Sequence, residues 1–584
     1  PGTRYGVGRV GSAESSACGE MALNPTPDFK PGQGTPVMTQ RTEASRQGQA
    51  VHAGASLRVV RGGKVLLGFR RAEPLIRWVI VAGLLAWGTV ASLAQMDVGL
   101  ADNGDFWRIM YVLTSGPVHI EPNHPDFQTE PEKWRRRFFK YYIPYWKWDA
   151  PEPLFARSHY SSSAYLLWFP GALLNRIFWS PHVLYLGVLS LPARLLLLAL
   201  LGLVLRFLQK TLPPGHTLLL LTLGLPLTLV LSDGAYLAML NSFYCESAAL
   251  VFGSAFLALV VAVRRLPISP TVAGVILLGS AFLVASVKAP YVYWMGIAVL
   301  ALVLVFRYRQ WKLSLSRWVW VSILTGLLGA LALYITRPLD FAFKTHAYNR
   351  LFYGAFMLSD RPSRHLWRLG IPYASPCIGM HAHTKVGRRC APQVRSALHV
   401  GAFLRVVMEE PSLLSRLVIA AAREMHFLRV EVLGYYAEFD PRAGTPTVPF
   451  RPWSHLKAAS FPRGLPLILC LLGCFVLGAI GSRSSSLEGD LGTVTCVGSC
   501  AVLADIVVAV LGDGLADIRR HLLLANFIFD LTFLAALNQV LLILGRRIAG
   551  GPFLAPTSPG ASGLIGVQAM PPGPQSPGDS HRTA

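Results

Sequence analysis

Apolar runs of about 16 to 24 residues recur along this chain, each long enough as a helix to cross a hydrocarbon core of roughly 30 Å at about 1.5 Å per residue. Ten are clear: 76–97, 183–206, 215–232, 247–263, 271–287, 291–306, 318–335, 464–481, 491–511 and 522–545. They predict an all-α polytopic membrane protein with about ten transmembrane helices. The short alternating segments of a transmembrane barrel are absent. Composition disfavours a soluble chain, because 15% charged residues against 52% hydrophobic ones leave too little charge to cover 584 residues.

Charge orients the spans. A formal charge of +23 on a soluble chain would suggest nucleic acid, but no basic stretch here has the setting of a nucleic-acid module. In a membrane protein Lys and Arg collect at cytoplasmic edges and beside anionic lipid. With ten spans, the basic N-terminal tail, Arg206 with Lys210, Arg264–Arg265, 307–317, Arg483 and Arg546–Arg547 all fall on one side. Both termini are therefore expected in the cytoplasm of a multi-pass cell-membrane protein. An eleventh stretch, 164–179, contains Pro170, Asn175 and Arg176. Counting it as a crossing inverts the first span against the rest, so it reads as interfacial or re-entrant.

Residues 1–70 read as a disordered basic tail and 547–584 as a Pro/Gly/Ser-rich one. The chain opens on Pro1, with Met21 and Met38 as alternative starts, and no secretory signal is visible. Between the tails lie a membrane domain at 76–335 with a first outer loop at 98–182, a second long outer loop at 336–463, and C-terminal transmembrane helices at 464–546. The first loop carries "EKWRRRFFKYYIPYWKW" (132–148), whose aromatics and cations suit a headgroup boundary. In the second, Pro411 is placed to start an amphipathic helix lying on the membrane within 409–439. Cys377 and Cys390 share that loop and pair if it is extracytoplasmic; free thiols are the alternative.

The polar stretches with chemical character all fall on the face opposite the basic edges: "DNGDFWR" (102–108), "SDGAYLAMLNSFYCES" (232–247), "KAPYVYW" (288–294), the second loop, and "GDGLADIRRH" (512–521). Asp102 and Asp105 either cap the helix after an Asn-Gly turn or supply a general base with a positioning partner. If 512–521 is helical, Asp513, Asp517 and His521 share one stripe. Asn526 and Asp530 continue it into apolar sequence, where ionisable groups face protein or water. Arg519, Arg520 and His521 suit a phosphate. Glu246 opens a span where the helix dipole favours acid. Lys288 either snorkels or meets a lipid phosphate. His381 and His383 lack an acidic neighbour in sequence and read as surface histidines. Mg²⁺ or Mn²⁺ is compatible with DNGD, although two carboxylates fall short of the about six oxygens such a cation takes. No Walker, dinucleotide, HExxH or GxSxG motif is present, which disfavours ATP-driven transport and zinc or serine hydrolysis.

An acidic pair after the first span, long outer loops with interfacial helices and about ten spans resemble the GT-C class of membrane glycosyltransferases. Within it, the order DNGDF, NSFYCES, YNRLFYG (348–354), RVEVLGYYAEF (429–439) and GDGLADIRRHLLLANFIFD (512–530) is similar to bacterial glycan-biosynthesis hexose transferases of the WsfD type, associated with S-layer glycans, over roughly 76–546. The Cys-, His- and Arg-rich stretch 377–400 departs from that pattern. The resemblance implies transfer of a hexose from a polyprenyl-phosphate-linked donor to a glycan or lipid-linked acceptor on the outer face. Asp102 or Asp105 would be the base, and Arg519, Arg520 and Lys288 would stabilise the leaving phosphate. A lipid-linked glycan transporter, or an O-antigen polymerase or ligase, is the rival reading.

Overall fold

A computed structural model describes residues 63–103, 105–117, 141–148, 162–212, 217–310, 320, 324, 326–329, 340–425, 433–437, 440–443 and 450–548. The protein is an all-α polytopic membrane protein. Six described helices are long and apolar enough to cross a membrane: Ala72–Leu93, Leu191–Thr211, Glu246–Arg265, Ala289–Tyr308, Leu487–Asp513 and Leu523–Arg547. Two bent pairs raise the number to eight, Thr217–Leu231 with Gly234–Leu240 at 47° and Pro452–Ser460 with Leu465–Gly481 at 105°. Helix Pro270–Ala285, at 16 residues, is shorter. Nine of the ten expected runs thus have an apolar helix; the tenth, 318–335, lies largely outside the described residues.

Two expected boundaries are corrected. The run at 183–206 does not begin as helix. Val183–Tyr185 is a strand that joins Thr114–Pro117 and Tyr145–Trp148 in a three-stranded antiparallel sheet, and the long helix starts at Leu191. Asn175 in helix Tyr165–Phe178 stitches that strand down, donating to Val183 O at 2.8 Å and accepting from Tyr185 N at 2.9 Å. At 14 residues, about 21 Å long, this helix is too short to span. In the second loop, the helix begun by Pro411 ends at Glu424. Beyond it Gly434 O and Tyr435 O accept from Ala101 N and Gly99 N, so that backbone serves the first loop instead of continuing a helix.

The long helices give the bundle two distinct ends. Leu487–Asp513 carries Glu488 and Asp490 in its first turn and Asp513 at its last residue, about 40 Å away along the axis. At the first end Asp490 pairs with Arg264 at 2.9 Å and Arg265 at 2.5 Å, Glu488 with Arg546 at 2.7 Å. Helix Glu246–Arg265 runs oppositely, with its arginines at that basic end and Glu246 at the other. The basic edges and the chemical stretches therefore occupy opposite ends, as their placement in the sequence requires.

Candidate active site

The DNGD loop is held by backbone contacts before its side chains do anything. Besides the two bonds to 434–435, Asn103 N donates to the Tyr244 hydroxyl at 2.9 Å, and that hydroxyl donates to Ala101 O at 2.8 Å. A Cβ on Gly99 would collide with the Tyr142 ring and with Asn241 O, so close approach requires glycine there.

The two aspartates then separate in role. Asp102 is 2% exposed and accepts from Phe106 N at 3.2 Å, which closes the turn ahead of the short helix Trp107–Leu113; the N-cap of that helix is Phe106, so the expected capping role is not what Asp102 does. Asp105 faces the polar interior. Its Oδ2 meets Arg108 Nη1 at 2.6 Å and also Arg520 Nη1. Arg520 reaches Asp517 Oδ2 through Nε at 2.6 Å and donates to Asn103 Oδ1 at 3.3 Å. Asn103 Nδ2 closes the knot by donating to Asp517 Oδ2 at 2.9 Å. The first loop and the last interhelical turn thus form one cluster, although they lie 414 positions apart. Burial pushes the Asp105 carboxyl up, but the charges of Arg108, Arg520 and Lys288 outweigh it and hold it well below the usual carboxylate range.

The turn that presents Arg520 is not the continuous helix expected at 512–521. The span stops at Asp513, Gly514 takes φ 65° and Asp517 φ 47°. Gly514 faces the helix that ends at Arg350: a Cβ would lie 3.0 Å from Arg350 Cα and 3.0 Å from Asn349 O. Close backbone packing forces the break. Asp513 and His521 still meet, Oδ2 to Nε2 at 3.4 Å, because the turn folds back on itself. Asp513 Oδ1 also receives Asn349 Nδ2 at 3.0 Å and lies 3.0 Å from His346 Nδ1.

Lys288 and Glu246 form their own ion pair at 2.6 Å, both buried, within electrostatic reach of Asp105. The remaining expected residues go elsewhere. Arg519 pairs with Glu424 at 2.6 Å. Asn526 and Asp530 accept from Lys457 at 2.9 and 2.6 Å, and the Tyr236 hydroxyl donates to Asp530 at 2.5 Å. That buried group joins the last span to the short helix Pro452–Ser460. Among the described residues no group of three or more His, Cys, Asp or Glu side chains is arranged to hold a metal ion; at Asp105 guanidinium groups take the place a cation would need. Cys377 and Cys390 are disulfide-bonded.

The cluster therefore holds three fixed cations, Arg108, Arg520 and Lys288, against Asp105, Asp517 and Glu246 at one end of a helical bundle. A model of the YfdI N-terminal transmembrane domain matches residues 68–548. The chain belongs to that family. The YfdI family is one of membrane proteins with glycosyltransferase-like character. No curated protein and no solved structure matches the chain significantly.

Sequence reasoning missed Arg108, His346, Asn349 and Lys457. Arg108 and Asn349 lay inside quoted motifs without a role. His346 and Asn349 sit three apart on one helix face, a signal that was available. Lys457 carried none, since its partners are 69 and 73 positions away.

Proposed function

We propose that this YfdI-family protein is a GT-C-like membrane hexosyltransferase, moving a hexose from a polyprenyl-phosphate donor to a glycan or lipid-linked acceptor. The contact of Asp105 with Arg108 and Arg520 carries the reading: a carboxylate and a bidentate-capable pair of guanidiniums share one spot at an end of the bundle. Arginine forks match phosphate oxygens, so the donor phosphate competes with Asp105 for Arg108 and Arg520, with Lys288 as a third cation. When the phosphate takes the arginines, Asp105 loses the charges that depress its basicity and accepts the acceptor hydroxyl proton. The acceptor oxygen bonds to the anomeric carbon, the carbon–phosphate-oxygen bond breaks, and the lipid phosphate leaves with its charge met by the arginines. Since Lys and Arg mark the cytoplasmic side, this end belongs to the opposite face, and both chain termini to the cytoplasm.

The test is incubation of membranes containing the protein with radiolabelled polyprenyl-phosphate hexose. Transfer is expected from the unaltered chain and none from Asp105→Asn expressed at equal level; an unchanged glycan product in that variant refutes the assignment. The two bent helix pairs favour, as a second reading, a lipid-linked glycan transporter. In that case labelled lipid crosses the bilayer of proteoliposomes without hexose transfer.

A further inference from the structure

Besides His521, which meets Asp513 directly, three histidines stand on the two elements that Asn349 ties to that carboxylate, and the scheme above uses none of the three. His346 comes from helix Asp340–Arg350, with its Nδ1 against the carboxylate and its side chain 39% exposed. His381 and His383 come from the disulfide-closed loop, their rings 5.2 Å apart, with Tyr353 edge-on to His381 at 5.6 Å. Asn349 ties the two elements together, donating to Asp513 and accepting from Ala382 N at 2.9 Å between the histidines. Gly379 N donates to Phe352 O at 2.9 Å and fixes the loop a second time. His381 is within electrostatic reach of Asp513, Asp517 and His346, and His383 of Asp513, His346 and Asp105. Through Asn349 the histidine loop is therefore tied to Asp513, four positions before Asp517 in the turn that presents Arg520.

We propose that His346, His381 and His383, on the helix and the disulfide-closed loop that Asn349 joins to Asp513, form the subsite that receives the sugar hydroxyls of the acceptor. The two groups differ in chemistry. The arginine side supplies guanidinium and ammonium donors of fixed charge, which suit phosphate. A neutral imidazole offers one N–H donor and one acceptor nitrogen, and a sugar hydroxyl likewise both donates and accepts. Burial keeps the half-buried His381 below the ordinary imidazole value, and so neutral near pH 7. The stretch 377–400, which departs from the hexose-transferase pattern, thereby acquires a role in shaping the acceptor side. The inference rests on the transferase reading for the identity of the sugar as acceptor, but not for the binding of sugar.

The experiment uses the full chain in nanodiscs and methyl hexosides (glucoside, galactoside, mannoside) as probes, read by saturation-transfer NMR. At least one hexoside is expected to bind. His346→Ala and His383→Ala are each expected to weaken it about tenfold, the size of one lost hydrogen bond, while Arg546→Gln, at the opposite end of the bundle, leaves it within about twofold. In transfer assays the histidine variants raise the acceptor KM and leave the donor KM unchanged. Failure of every hexoside to bind, unaltered binding in both histidine variants, or a fall in kcat without a change in acceptor KM overturns the subsite. Hexoside binding that depends on His383 without any hexose transfer keeps the sugar site and removes the transferase reading. His383 is exposed, so its variant is informative even where His346→Ala destabilises the chain.

Discussion

Replacing Arg520 by Lys keeps the charge and removes the fork. Arg520 meets Asp105 and Asn103 through Nη1 and Asp517 through Nε; a single ammonium on a flexible stem lacks the planar fork that reaches these groups from separate nitrogens. The loss is one charge-assisted hydrogen bond at a mostly buried site, about 1.5–3 kcal/mol. Its lower half is expected, since Asp105 retains Arg108 at 2.6 Å and Asp517 retains Asn103 at 2.9 Å. Catalysis should suffer more. A group placed on charge that develops in the transition state is worth about 10²–10³ in kcat, roughly 3–4 kcal/mol. Unfolding of the detergent-solubilised protein and transfer from labelled polyprenyl-phosphate hexose measure the two quantities separately. A variant that transfers within threefold of the unaltered protein would show that the fork is not the phosphate site.

Lys457→Met should cost about 3–5 kcal/mol by stranding Asp530 in the bundle, and adding Asp530→Leu should recover most of it; a double variant no more stable than the single one contradicts a buried pair. Gly514→Ala should destabilise by about 1–3 kcal/mol, because φ 65° with ψ −123° is a conformation a residue with a Cβ rarely adopts. It should also abolish transfer, because the Cβ pushes the Arg520 turn off Asn349; retained activity in a folded variant counts against that geometry. Burial opposes ionisation of Asp105 but its arginines prevail, so its folded pKa lies below the unfolded value of about 3.9. Its stabilising contribution is complete above that value and disappears as pH falls further, through the folded pKa. Arg520→Gln should accordingly shrink the difference in unfolding free energy between pH 6 and pH 3.

Much of the architecture was legible because hydrophobic length is local: a run without charge must be helical in lipid, and nine of ten such runs are apolar helices. The site was partly legible for a different reason. Chain parity places alternate loops at the same end of a bundle, so DNGD and the 512–521 turn had to share a face. Their direct contact was more than parity required. The strand at 183–185 was missed because VLY continues into an apolar run and cannot be told from helix by hydropathy alone.

What the sequence determined by itself is the class of protein, the approximate places of most of its apolar helices and the separation of basic from chemical ends, since each follows from the transfer of short segments between water and lipid. Only the tertiary structure decided that Asp102 is buried in the turn before a short helix while Asp105 pairs with Arg108 and Arg520. It also decided that Asp530 belongs with Lys457, and that the last turn is broken at Gly514. Those outcomes depend on which groups, hundreds of positions apart, arrive within hydrogen-bonding distance, and no local pattern of residues encodes that.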